Sequence, residues 1–88
     1  MAQERFSLED AERIRKMLGL SRGKIHLKQF QMGLNIELEH GRRNPFTNIT
    51  DDDEILTAKI ALAHLSEFPD YYSRLEKLEK AAEAYWKK

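Results

Sequence analysis

An all-α domain of four helices with a buried third helix is what this sequence predicts, on three observations. The stretch from Thr57 to Tyr72 holds the densest apolar run of the chain, together with a lone His, a Pro and an aromatic-acidic corner. Its apolar residues fall on nearly every side of a helix turning about 100° per residue, and a helix apolar all round is a buried one. Elsewhere, apolar residues recur three and four apart, and each such segment is bounded by residues that cap or break helices.

The first helix starts at Ser7, a good N-cap, with Glu9 and Asp10 suited to the positive end of the helix dipole and Phe6 able to staple the turn. Leu8, Ala11, Ile14 and Leu18 keep the helical spacing, and Glu9–Arg13 and Glu12–Lys16 stand four apart outside. Gly19 ends the helix. A short basic connector, Ser21 to His26, follows. The second helix is predicted from Leu27 to His40, stopping at Gly41, with Phe30, Leu34 and Leu38 as its apolar stripe. Gly33 is unfavourable inside it by about 1 kcal/mol and points to close approach of another helix. Glu37 is its oddity, because it lies about 60° from Leu34, inside the apolar sector.

Gly41 to Thr50 is the longest loop, with a turn at Asn44-Pro45 and Phe46 and Ile49 as expected anchors to the core. Thr50 is the expected cap of the third helix, and Asp51, Asp52, Asp53 and Glu54 then complement its dipole. A calcium loop is not indicated, since the EF-hand spacing is missing. The third helix must stop near Phe68, because the residue before Pro69 is pushed out of the α region. Pro69 suits the first position of a fourth helix and Asp70 its first turn. Tyr71, Leu75, Leu78, Ala82 and Tyr85 form an a/d-like stripe there, with Trp86 beside it, and at such spacing these rings are expected in the core. The expected domain is the whole chain, 1–88, with an ordered core over about 6–86.

Composition narrows the function. The 88 residues carry 15 basic and 15 acidic side chains and no formal net charge, against a general nucleic-acid binder that works by excess Lys and Arg. With no cysteine there is no disulfide, thiolate nucleophile or Cys-ligated metal. The polar start Met1 to Arg5 is no signal peptide, and no apolar run is long enough for a membrane span, so a soluble cytoplasmic protein is expected.

Three blocks carry a family likeness: Ile36 to Gly41 (IELEHG), Thr47 to Asp52 (TNITDD) and Thr57 to Tyr72 (TAKIALAHLSEFPDYY). In that order they resemble a family of small uncharacterised proteins of bacteria and phages, a domain of unknown function. The likeness runs from about Phe6 to Glu79. It implies no activity or cofactor, and the connector Ser21 to Lys24 is more basic here than the family pattern.

The sharpest chemical pattern is Glu37-x-x-His40 on one helix and His64-x-x-Glu67 on another. Glu and His three apart share a helix side, as in carboxylate-bridged metal sites, and two of each would suit zinc, iron or manganese. In an antiparallel hairpin His64 would stand about 15–20 Å from His40 along the axis. A loop reaching up to about 30 Å lets the two helices run parallel or cross instead. The alternative is that Glu37 and His64 are buried polar groups satisfied internally. Ser7, Ser21, Ser66 and Ser73 lie outside any nucleophile elbow, no glycine-rich phosphate loop exists, and a Glu37–His64 acid–base pair has no evident cleft. The expectation is no enzyme, no cofactor and no catalytic residue.

Arg42 and Arg43 form a basic spot, with Arg22 and Lys24 as a second, and these loops are the alternative route to nucleic acid. Solvated pairing of Arg42 and Arg43 with the acidic run is the plainer reading. The expected partner surface comprises Arg42, Arg43, Asp51, Asp52, Asp70, Tyr71 and Tyr72. The sequence is thus read as a non-enzymatic binding or interaction module for a protein partner, monomeric or weakly homodimeric, with metal binding as its rival.

Overall fold

A capping box opens the first helix where the sequence places it. In the computed structural model, which describes residues 5–20 and 25–87, Ser7 Oγ accepts the Asp10 N–H and the Asp10 carboxylate accepts the Ser7 N–H, each at 3.0 Å. Helix α1 runs Leu8–Met17. It ends in a Schellman turn: Gly19 has φ +70°, its N–H donates to Lys16 C=O, and the Leu20 N–H donates to Arg15 C=O. The Arg15 guanidinium, bound to Glu12, also donates to Leu20 C=O.

Helix α2 runs Leu27–Glu37 and tightens into one 3₁₀ turn, Leu38–His40, before Gly41. Helix α3 is Glu54–Glu67 and α4 is Tyr71–Trp86. The described residues contain four α-helices and no strand, the all-α class the sequence predicts.

The order of burial differs from expectation. Helix α2, not α3, is the strut: it packs on all three other helices and buries Gln29, Phe30, Gln31, Gly33, Leu34, Asn35 and Glu37. Helix α3 buries only Thr57, Ala58 and Ala61, and leaves Leu56 47% exposed. Its many apolar positions are half-covered, whereas α2 buries polar side chains because each has a partner. Asn35 Oδ1 accepts the Arg5 and Phe6 N–H groups at 2.8 Å, and its Nδ2 donates to Phe6 C=O at 3.0 Å. Gln31 Nε2 donates to the same carbonyl. The segment ahead of α1 is therefore tied to α2 through its backbone, with the Phe6 ring buried beside Ala11 and Ile14 in the core.

Gly33 marks the close approach its position implies. A Cβ there would stand 2.5 Å from Cε2 of Tyr72 and 3.1 Å from Cβ of Ala61, so α4 and α3 both press on the α2 backbone. Gly33 meets Ala61 and Glu37 meets His64. The contacts run in the same order along both helices, which is not the pairing of an antiparallel hairpin.

Two helix starts are built otherwise than expected. Thr50 does not cap α3; it is buried in the turn before it, and Asp53 is the N-cap, accepting the Leu56 N–H at 2.9 Å. Asp51 and Asp52 have φ of 52° and 63° and belong to that turn rather than to the helix. At the start of α4, Asp70 occupies the N-cap position but its carboxylate bonds Arg74 at 2.8 Å instead of the free amides. Gln29 of α2 does the capping, since its Oε1 accepts the Tyr72 N–H at 3.2 Å and its Nε2 donates to Ser73 Oγ at 2.7 Å.

The expected loop anchors are also corrected. Phe46 and Ile49 are exposed, at 96% and 73%. The loop is held instead by its backbone, with the Ile49 and Thr50 N–H groups donating to His40 C=O.

Candidate functional site

Helix α2 carries Glu37 into the junction of three helices, where its carboxylate is 3% exposed. A buried carboxylate needs donors, and Tyr72 supplies the short one, its hydroxyl donating to Oε2 at 2.7 Å. Burial, with the adjacent Glu37 carboxylate, pushes the Tyr72 phenol far above its ordinary range, so the hydroxyl keeps its proton and remains a donor. His40 Nε2 lies 3.5 Å from Oε1 and His64 Nε2 lies 3.5 Å from Oε2. These are contacts of electrostatic range, longer than good hydrogen bonds. The His64 ring stacks on Tyr71 at 4.4 Å between centroids, nearly parallel, and meets Tyr72 edge-on.

The structure thus gathers Glu37, His40 and His64, with Glu67 at the margin, its Oε1 3.8 Å from His64 Nδ1. That Nδ1 is buried without a hydrogen-bond partner. The two imidazoles face different oxygens of one carboxylate, so the arrangement is a carboxylate flanked by bases rather than a set of donors around a common point. Among the described residues, no group of three or more His, Cys, Asp or Glu is arranged to hold a metal ion. Each imidazole stands within ion-pairing distance of the Glu37 carboxylate. Tyr72 is the member sequence reasoning did not assign to this site. The signal for it was Glu37 itself, an acid in an apolar sector that requires a donor from another helix.

The loop residues expected at a partner surface form a separate group. Arg42 Nε bonds Asp51 Oδ1 at 2.8 Å, and the Arg42 backbone N–H donates to Asp52 Oδ1 at 3.0 Å. Hydrogen bonds from Arg42 and then Asn48 hold the Asp51 carboxyl below its usual range. Asp52 also pairs with Arg5 at 3.3 Å. Arg43 lines an open depression of about 550 Å³ between His40 and the loop, with Glu39, Pro45 and Phe46. Arg22 and Lys24 lie outside the described residues. Of the remaining expected surface residues, Tyr72 is fully buried, Tyr71 half-buried and Asp70 exposed.

Helix α4 carries an uncovered apolar stripe. Only Tyr72 of this helix is buried, and every described residue from Glu76 onward is exposed. Leu78 is 65% exposed, and Tyr85 and Trp86 are 65% and 80% exposed, against the expectation that these rings belong to the core. The helical period was right, but the helix outruns the body it packs on. At its root Phe68, Tyr71, Arg74, Leu75 and Leu78 line a shallow cleft of about 150 Å³, with the Arg74 guanidinium 4.3 Å from the centre of the Phe68 ring. No helix of the described residues is long and apolar enough to cross a membrane.

Comparison with curated proteins and with solved structures yields no significant match to either. A family profile described as Protein of unknown function (DUF5661) matches residues 11–81, from α1 into the outer half of α4, and the chain belongs to that family.

Proposed function

We propose that this protein is a non-enzymatic, cytoplasmic interaction module that grips an apolar helix of a protein partner with the outer stripe of α4. One observation carries the reading: Leu78, Tyr85 and Trp86 are 65%, 65% and 80% exposed on a helix whose other side is polar. Single exposed apolar residues need no explanation, but a stripe continued by an aromatic-lined cleft is the form of a binding surface. Site-directed photocrosslinking in expressing cells tests it. A crosslinker at Ala82, inside the stripe, should trap protein partners, whereas one at Lys80, outside it, should not. Equal yields from both positions would contradict the reading.

A second reading, a divalent metal site, is supported by the convergence of Glu37, His40 and His64 and by the partnerless His64 Nδ1. It requires the two imidazoles to turn from separate oxygens toward one ion. Zinc, iron(II) or manganese would then raise the melting temperature, and His64→Ala and Glu37→Gln would each abolish the rise. An unchanged melting temperature would contradict it. Nucleic-acid binding has less behind it, because Arg42 is already committed to Asp51.

A further inference from the structure

The loop after α2 is built as one wall of a depression. Asn44 Oδ1 accepts the Phe46 N–H at 3.0 Å, and Asn44 C=O accepts the Thr47 N–H at 3.1 Å. Further on, the Ile49 and Thr50 N–H groups donate to His40 C=O, which ties the loop back to the 3₁₀ turn that ends α2. A turn pinned in this way holds the Phe46 ring out in water, 96% exposed. With Pro45, that ring forms the apolar side of the open depression of about 550 Å³. Such a volume falls within the range of small-molecule sites, roughly 300–1,000 Å³.

The charges lining this depression are uncommitted. Arg5, Arg13, Arg15, Arg42 and Arg74 each hold a carboxylate. Arg43 makes no ion pair or hydrogen bond among the described residues, and neither does the Glu39 carboxylate. Both line the depression without pairing with each other, so a cation and an anion stand apart there with Pro45 and Phe46 alongside. His40 lines it too, but its Nε2 faces the Glu37 carboxylate, so the charges of a ligand fall to Arg43 and Glu39. A ligand that answers all of these groups carries a carboxylate, an ammonium and an apolar ring. We infer that the depression is a binding site for a free aromatic amino acid, its carboxylate on Arg43, its ammonium on Glu39 and its ring against Phe46. A guanidinium suits the first contact because its planar fork donates two parallel N–H bonds to one carboxylate. Offset or edge-on packing of two rings suits the third. The loop is held in place before the ligand arrives, which lowers the cost of ordering it. This site is separate from the stripe of α4 and goes beyond the role proposed for that helix.

Titration of the purified chain with phenylalanine tests the assignment, followed by the backbone amide shifts of Glu39 to Thr47 in heteronuclear NMR. The shifts should saturate with a dissociation constant on the order of a millimolar, as suits about twelve non-hydrogen atoms on an open site. Three probes each remove one contact: phenylalaninamide the carboxylate, N-acetylphenylalanine the ammonium, and alanine the ring. Each should bind at least about fivefold more weakly than phenylalanine. Arg43→Gln should erase the preference for phenylalanine over its amide, and Glu39→Gln the preference over the N-acetyl form. Both side chains are exposed, so neither variant should move the melting temperature. Shifts that do not saturate by concentrations on the order of tens of millimolar would overturn the inference. So would an Arg43→Gln chain that still prefers the acid to the amide. N-acetylphenylalanine binding as tightly as the free amino acid would overturn it as well, because a peptide C-terminus would then satisfy the site. Crosslinking from Ala82 reads a different surface, so the role proposed for α4 stands or falls separately.

Discussion

Asn35 holds three backbone groups of the segment before α1 with one amide, donating to Phe6 C=O and accepting from the Arg5 and Phe6 N–H groups. The Phe6 N–H is buried, so deleting the amide orphans it at about 1–3 kcal/mol, while Gln31 still donates to the Phe6 C=O. Asn35→Ala is therefore expected to cost about 1–3 kcal/mol, read from the urea midpoint, although it removes no apolar contact. An effect below about 0.5 kcal/mol would mean that water replaces the amide. Gln29 is the second such residue. Gln29→Ala should destabilise by about 1–2 kcal/mol, the range for losing a helix cap, and by more than Asp70→Ala, whose carboxylate bonds the exposed Arg74. The reverse order in thermal unfolding would return the capping role to Asp70.

The start of α1 and the helix stops were readable one element at a time, because Ser7, Gly19, Gly41 and Pro69 act on their own neighbours, whereas the caps of α3 and α4 were not. What each helix buries was not readable either, because it depends on partners far away in the chain. Helix α2 reads as half-polar, and nothing in Gln29, Gln31 or Asn35 says that a backbone segment waits to bond each of them. The stripe of α4 was legible, its lack of cover was not. For the candidate site, Glu37 was marked by its position beside Leu34, while its meeting with both His40 and His64 required α2 and α3 to run in one direction, which the loop length left open. Between elements, α1 and α3 are joined by a bidentate pair, Arg13 with Glu54 at 2.8 and 3.1 Å. The Arg13 hydrogen bond holds the Glu54 carboxyl below its ordinary value of 4.5. A depressed carboxyl contributes stability that is present above the unfolded pKa and is lost as pH falls through the folded one. The melting temperature should thus fall as pH drops below 4.5, and Glu54→Gln should flatten that fall slightly, the pair being half-exposed. An unchanged slope would show that solvent screens the pair entirely.

At the scale of the molecule, the domain consists of a strut, α2, wrapped by three helices, and of an outer length of α4 that no part of the body covers. Burial of Phe30, Leu34, Tyr72 and the partnered polar groups ties the helices to the strut, so global stability should concentrate there. The outer turns of α4 are exposed and gain nothing from that core. Hydrogen exchange of the purified chain tests both halves of this account at once. The account predicts that the amides of Phe30 to Glu37 exchange slowest, and that those of residues 76–86 exchange fast. Slowest exchange in α3 with faster exchange in α2, or full protection of 76–86, would contradict it.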